Sequence, residues 1–140
     1  MTRRRTVLCA VVVVVAFTRA PHAQSGLPGT WKTAAPTLGL AGARLFQQDL
    51  EWRVQAFGQC EPSPSDWGAV PFTFLTDAER KSADRGFATW KRDDGSAHVL
   101  FRLDGRELTA EVYRLHSAAP APSNRLRNYF VVVRLVRDGE

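Results

Sequence analysis

Cys60, Asp66, His98 and His116 are the side chains here whose chemistry can go beyond packing, so their spacing decides which reactions to consider. A thiol, an imidazole and a carboxylate make up a nucleophilic triad, in which the ring takes the thiol proton and the acid orients the ring. Cys60, His116 and Asp66 can be written as such a set, but no nucleophile elbow or glycine-rich phosphate loop accompanies them. The charges nearest Cys60 are Glu61 and Asp66, and acids disfavour the reactive thiolate. His98 and His116 stand 18 residues apart without a cysteine pair or a His-Glu-x-x-His element, so zinc ligation has no motif behind it. Asp93-Asp94 is a carboxylate pair, yet it falls in a turn where solvation accounts for it. The expectation is a protein that is not an enzyme, with no catalytic residue, no metal and no cofactor.

Cys60 is the single cysteine outside the first 24 residues. Three readings of it stay open: a small apolar filler, a site for an intermolecular disulfide, or a reactive thiol.

The amino-terminal stretch bears on where such chemistry would take place. Arg3, Arg4 and Arg5 precede the uncharged, mostly apolar run Val7 to Phe17, and Pro21-His22-Ala23-Gln24 follows as a processing zone. That three-part layout is that of a secretory signal peptide, so residues 1–24 are expected to be removed and 25–140 to form one domain. The apolar run covers 11 residues, against ~20 for a membrane-crossing helix. The expected location is the bacterial periplasm or the exterior, with no stable membrane insertion after cleavage.

Charge must be counted without the leader. The chain has 19 Lys and Arg against 14 Asp and Glu, and four of the arginines but none of the acids lie in residues 1–24. Residues 25–140 thus carry 15 basic and 14 acidic groups, a net charge of +1. The bases alternate with acids, as in Lys91-Arg92-Asp93-Asp94, instead of forming the clustered footprint that nucleic acid requires. No nucleic-acid partner is expected.

The elements that must position these residues are strands. Glu51 to Ala56 alternates polar and apolar residues, as does His98 to Leu103 with one interruption at Leu100, and that alternation gives a strand one wet and one dry face. Val70-Pro71-Phe72-Thr73-Phe74 repeats the pattern, with Pro71 marking a strand start or an edge. Asn128 to Val136 is a β-branched run suited to a well-covered strand. Asp104-Gly105 is the strongest hairpin signal, Asp93-Asp94-Gly95-Ser96 a second and Gln48-Asp49-Leu50 a weaker third. Strands are expected near 29–33, 43–48, 51–57, 69–76, 87–92, 97–103, 107–115 and 128–136, with a brief helix over Asp77 to Gly86. Ala118 to Ser123 is a low-complexity, proline-containing loop. Eight short antiparallel strands in about 116 residues predict an all-β fold, an up-and-down barrel, with a two-sheet sandwich as the alternative.

Two motifs carry resemblances. Gly29-Thr30-Trp31 resembles the first strand of lipocalin-like and avidin-like barrels. In lipocalins the tryptophan closes one end, under a basic side chain from the last strand. The resemblance implies that role for Trp31 with Arg134 or Arg137, a cation–π contact worth ~1 kcal/mol. The second motif runs Gly58-Gln59-Cys60-Glu61-Pro62-Ser63-Pro64-Ser65-Asp66-Trp67-Gly68. It resembles a loop of small secreted bacterial β-proteins of uncharacterised function, whose pattern is Gly-x-Cys-x-Pro-x-x-Cys-Asp-Trp-Gly after a strand like Trp52 to Gly58. Ser65 stands where that pattern has its second cysteine, so the disulfide staple that the resemblance implies cannot form here. Asp66 can bond turn amides, Trp67 can plug a barrel end and Gly68 can take positive φ; alternatively, Trp67 belongs to a contact surface.

What remains is binding, in one of two forms. A small apolar ligand would sit among the expected interior residues Trp31, Trp52, Phe72, Phe74, Phe101 and Val112, unless the barrel is filled by its own side chains. An extracytoplasmic protein partner, such as a secreted or cell-wall hydrolase that this chain inhibits, would instead meet the loop carrying Cys60, Glu61, Asp66 and Trp67, or the one from Ala118 to Arg127.

Overall fold

Alternation along the sequence becomes alternation of wet and dry faces along strands. The structure, a computed structural model, describes residues 26–35, 39–59, 64–79, 83–117 and 128–139. The expected leader 1–24, the loop residues Cys60 and Glu61 and the segment 118–127 lie outside them. The strands are β1 (Gly29–Thr33), β2 (Leu40–Gln48), β3 (Glu51–Gly58), β4 (Ser65–Pro71), β5 (Thr73–Leu75), β6 (Arg85–Arg92), β7 (Gly95–Asp104), β8 (Glu107–His116) and β9 (Tyr129–Arg137). All pair antiparallel in a single sheet of order β4-β3-β2-β1-β9-β8-β7-β6-β5. One continuous sheet curling nearly onto itself is a barrel, not a two-sheet sandwich. Among the described residues no helix is long and apolar enough to cross a membrane.

Nine strands occupy eight positions around this barrel because one strand changes partner midway. The single strand expected over 69–76 begins earlier, at Ser65, and breaks at Phe72. Its first half pairs with β3, from Gly58↔Ser65 to Arg53↔Pro71. Its second half pairs with β6, from Thr73↔Phe87 to Leu75↔Arg85. Phe72 is the handover: its amide donates to Trp52 O at 2.8 Å while its side chain turns inward, 7% exposed. Proline at the end of β4 is compatible with this break, because Pro71 has no N–H to offer a ladder.

Among the described residues, the helix expected over Asp77 to Gly86 does not form. The described residues of that span are turn and coil, and from Arg85 onward the chain is strand β6. A helix so short has little to offset the cost of its first turn. Arg85 and Gly86 instead pair with Leu75 and Phe74, and Leu103 N reaches Asp84 O at 2.7 Å. The three expected hairpins are present. Gln48 pairs with Glu51 across Asp49 and Leu50, Arg92 with Gly95 across the two aspartates, and Asp104 with Glu107 across Gly105 and Arg106.

The inward residues include Trp31, Leu40, Val54, Trp90, Val112 and Leu135, each at most 2% exposed. Trp31 donates from Nε1 to Leu27 O at 2.9 Å, and the Arg137 guanidinium lies 4.4 Å from its ring centroid. Of the two arginines expected over Trp31, it is Arg137 from the last strand that fills the role. Its Nη1 also donates to Pro28 O at 2.9 Å and its Nη2 to Gly26 O, tying the lead-in to β9.

Candidate functional site

The six side chains expected inside the barrel divide by environment. Trp31, Phe72, Phe101 and Val112 are buried, while Trp52 and Phe74 are partly buried against the same core. Four of them form one aromatic chain near the β4–β5 break. Trp52 meets Phe74 edge-on at 5.3 Å, Phe74 meets Phe72 at 4.9 Å and Phe72 meets Phe101 at 5.9 Å. The space left among Leu27, Trp31, Phe72, Phe101, Leu108 and their neighbours is about 10 Å³. That is at most one water, in an apolar lining that would keep it dry, and small-molecule pockets start near ~300 Å³. Among the described residues, the interior around this space is filled by side chains.

Polar groups gather instead at one end, the mouth, where β4 and β9 begin and the β6–β7 hairpin turns. Asp66 and Trp67, expected in a loop, lie on β4. Asp66 Oδ1 accepts from Gly68 N at 2.7 Å and its Oδ2 from Gln55 Nε2 at 2.8 Å, so the acid does bond a nearby amide, as its position suggested. Gly68 takes φ +84°. Trp67 packs edge-on against Trp90 at 5.8 Å, and Trp90 Nε1 donates to Gly68 O at 2.9 Å. These two indoles fill the seam between β4 and β6, where no ladder runs. The Trp67 indole fits there because it lies over Gly58, where a Cβ would come within 2.4 Å of Nε1.

The mouth also holds an arginine that the analysis of motifs passes over. Arg114 follows Leu108, Ala110 and Val112 on the inward face of β8 and is 8% exposed. Its Nη2 donates to Asp94 Oδ2 at 3.2 Å, with Oδ1 at 3.4 Å, while Nη1 is buried without a hydrogen-bond partner among the described residues. Asp94 reaches it because Gly95 lets the turn press against β8: a Cβ there would stand 1.9 Å from Leu115 O. Ser117 N then donates to Asp94 O at 3.0 Å. Asp94 is shared with Arg92, whose Nε is 3.9 Å from Oδ1 and whose guanidinium lies 5.6 Å from the Trp67 ring centroid. Asp66, Trp67, Lys91, Arg92, Asp93 and Asp94 line an open depression of about 500 Å³ above this cluster. The available signal for Arg114 was phase: period two places it among dry positions, where a cation needs a reason.

The histidines do not converge on one centre. His98 lies on the outer face, its Nδ1 3.0 Å from Thr89 Oγ1 and its Nε2 2.9 Å from Ser96 Oγ. His116 ends β8 with its ring 6.3 Å from Tyr129, and its Nδ1 is buried without a partner among the described residues. Among the described residues, no three His, Cys, Asp or Glu side chains gather as metal ligands do.

The outer face of β8 and β9 carries an apolar patch. Tyr113 pairs across the ladder with Phe130 and stacks on it at 5.9 Å, and Leu115 and Val132 lie on the same face. Phe130 is 67% exposed. The Tyr113 phenol donates to Glu111 Oε2 at 2.8 Å, and that hydrogen bond, with the carboxylate charge behind it, holds the phenol above its usual range. No protein-family model, curated protein or solved structure matches this chain.

Proposed function

We propose that this protein is an exported binding module that docks on an extracytoplasmic protein through its mouth and outer face rather than holding a small molecule inside. The observation that carries this reading is the filled interior: about 10 Å³ among apolar side chains leaves a ligand nowhere to go. Two surface features support it. Aromatic residues and arginine are the types enriched at protein interfaces, and Trp67 with Arg92 at the mouth is such a pair. Tyr113, Leu115, Phe130 and Val132 form an exposed apolar patch on an otherwise mixed-charge surface. Export rests on the layout of Met1 to Gln24.

The test has two arms. Tryptophan fluorescence and thermal shift are followed against a panel of lipids, haem and flavins, and no saturable response is expected. Affinity capture from a periplasmic or secreted fraction should yield one identified partner, whose purified form binds saturably. Trp67→Ala or Phe130→Ser should weaken that binding by about tenfold or more, as loss of an interface aromatic does. Saturable binding of any panel compound in the wild type, or partner binding indifferent to both substitutions, sinks the proposal.

A further inference from the structure

We propose that Arg114 anchors a carboxylate-binding subsite at the barrel mouth. Arginine stays charged and offers five N–H donors, and its fork matches a carboxylate with two parallel bonds. In this fold the fork is half used. Nη2 holds both oxygens of Asp94 through long contacts of 3.2 and 3.4 Å, and Nη1 is buried with no acceptor among the described residues. A buried donor left unmade is costly, and native proteins nearly always satisfy one with protein, water or ligand. Arg114 is one side chain behind an opening: Asp94, the acid that its Nη2 touches, lines the 500 Å³ depression and is 51% exposed.

The surroundings suit an incoming acid. Asp94 stands between two guanidiniums, with Arg92 Nε at 3.9 Å and Arg114 Nη2 at 3.2 Å. Tyr129 pairs with Arg114 across the β8–β9 ladder, and the His116 ring lies 6.3 Å from that of Tyr129. A carboxylate entering here would take the free Nη1 and compete with Asp94 for Nη2. The source is either a free organic acid or an Asp or Glu side chain displayed by a protein. The inference deepens the docking reading and rests on it only for the second source.

The experiment titrates the tryptophan fluorescence of the protein with two probes at constant ionic strength, balanced with sodium chloride. One probe is sodium acetate; the other is a capped glycine pentapeptide with a single central Glu. At least one should give a saturable change in the wild type. Arg114→Gln, checked for folding by circular dichroism, should raise the half-saturation concentration by about tenfold or more, the worth of a charge-assisted pair. Asp94→Asn, on an exposed turn, removes the internal competitor and should lower it. A peptide binding more tightly than acetate identifies the displayed side chain as the source, and the reverse identifies free acids.

No saturable response to either probe, or an unchanged half-saturation in Arg114→Gln, overturns the subsite. If Arg114→Gln fails to fold, Asp94→Asn decides, and equal or weaker binding in that variant overturns it. Loss of the acetate and peptide responses with partner capture intact removes the subsite alone. A probe response with no protein partner removes the docking reading alone.

Discussion

Asp49 and Leu50 both sit at positive φ, 49° and 69°, which is the pattern of a type I′ turn between two paired strands. That conformation costs a residue with a β-carbon about 1–2 kcal/mol. Leu50 gains nothing back from burial, being 74% exposed. Leu50→Gly should therefore stabilise the protein by roughly 0.5–1 kcal/mol after the entropy of glycine is subtracted, and Leu50→Val should destabilise it; thermal melts distinguish the two. A second residue-scale expectation concerns Tyr113. Its phenol is held above the usual 10.0 first by the hydrogen bond to Glu111 and then by that charge. An unfolded tyrosine ionises at about 10, so in the window above that pH unfolding releases a proton. Stability from this group is thus complete below pH 10 and drains away as pH climbs until Tyr113 itself ionises. Glu111→Gln should lower the Tyr113 transition in a phenolate absorbance titration and leave the shape of the curve otherwise unchanged.

Between residues and the whole barrel lies the strand that serves two neighbours. Phe72 is where β4 leaves β3 and β5 joins β6, and its ring meets those of Phe74 on β5 and Phe101 on β7. Phe72→Ala should cost about 3–5 kcal/mol, the range for a buried aromatic, measured as a lowered urea midpoint. A buried position away from the break should lose packing without loosening the closure, so Val133→Ala, expected to cost about 1–3 kcal/mol, is the control. The break also marks where sequence reading stops working. Period two and turn chemistry located β3, β7 and β8 closely, because a two-residue hairpin fixes at least one end of each. A strand divided between partners has no local signature, since Val70 to Phe74 repeats the strand pattern across the break as any strand would. Arg85 and Gly86 read as a helix end, yet they pair with Leu75 and Phe74 on one side and with Arg102 and Phe101 on the other. At the candidate site, Asp66, Trp67 and Gly68 stood out by motif, but Arg114 is informative only by being a cation in a dry phase.

At the scale of the whole molecule, the question is whether this barrel is hollow in principle and merely filled in practice. Its inward side chains mix large residues such as Trp31 and Trp90 with small ones such as Ala43, Ala97 and Ala110, an interdigitated set that leaves about 10 Å³. Removing one large member should open a void that the rest of the shell cannot collapse around. Leu108, 2% exposed and facing that residual space, is the member to remove. Leu108→Ala should cost about 3–5 kcal/mol and leave an apolar cavity on the order of 100 Å³. A chain of this size has about 5–15 kcal/mol in hand, so the variant should still fold. Saturating benzene should then raise the melting temperature of Leu108→Ala by several degrees and leave the wild type unmoved, because ligand stabilisation needs a site in the folded state. A benzene-induced rise in the wild type itself would mean that the interior admits small molecules as it stands, and the case for binding at the mouth and outer face would lose its main support.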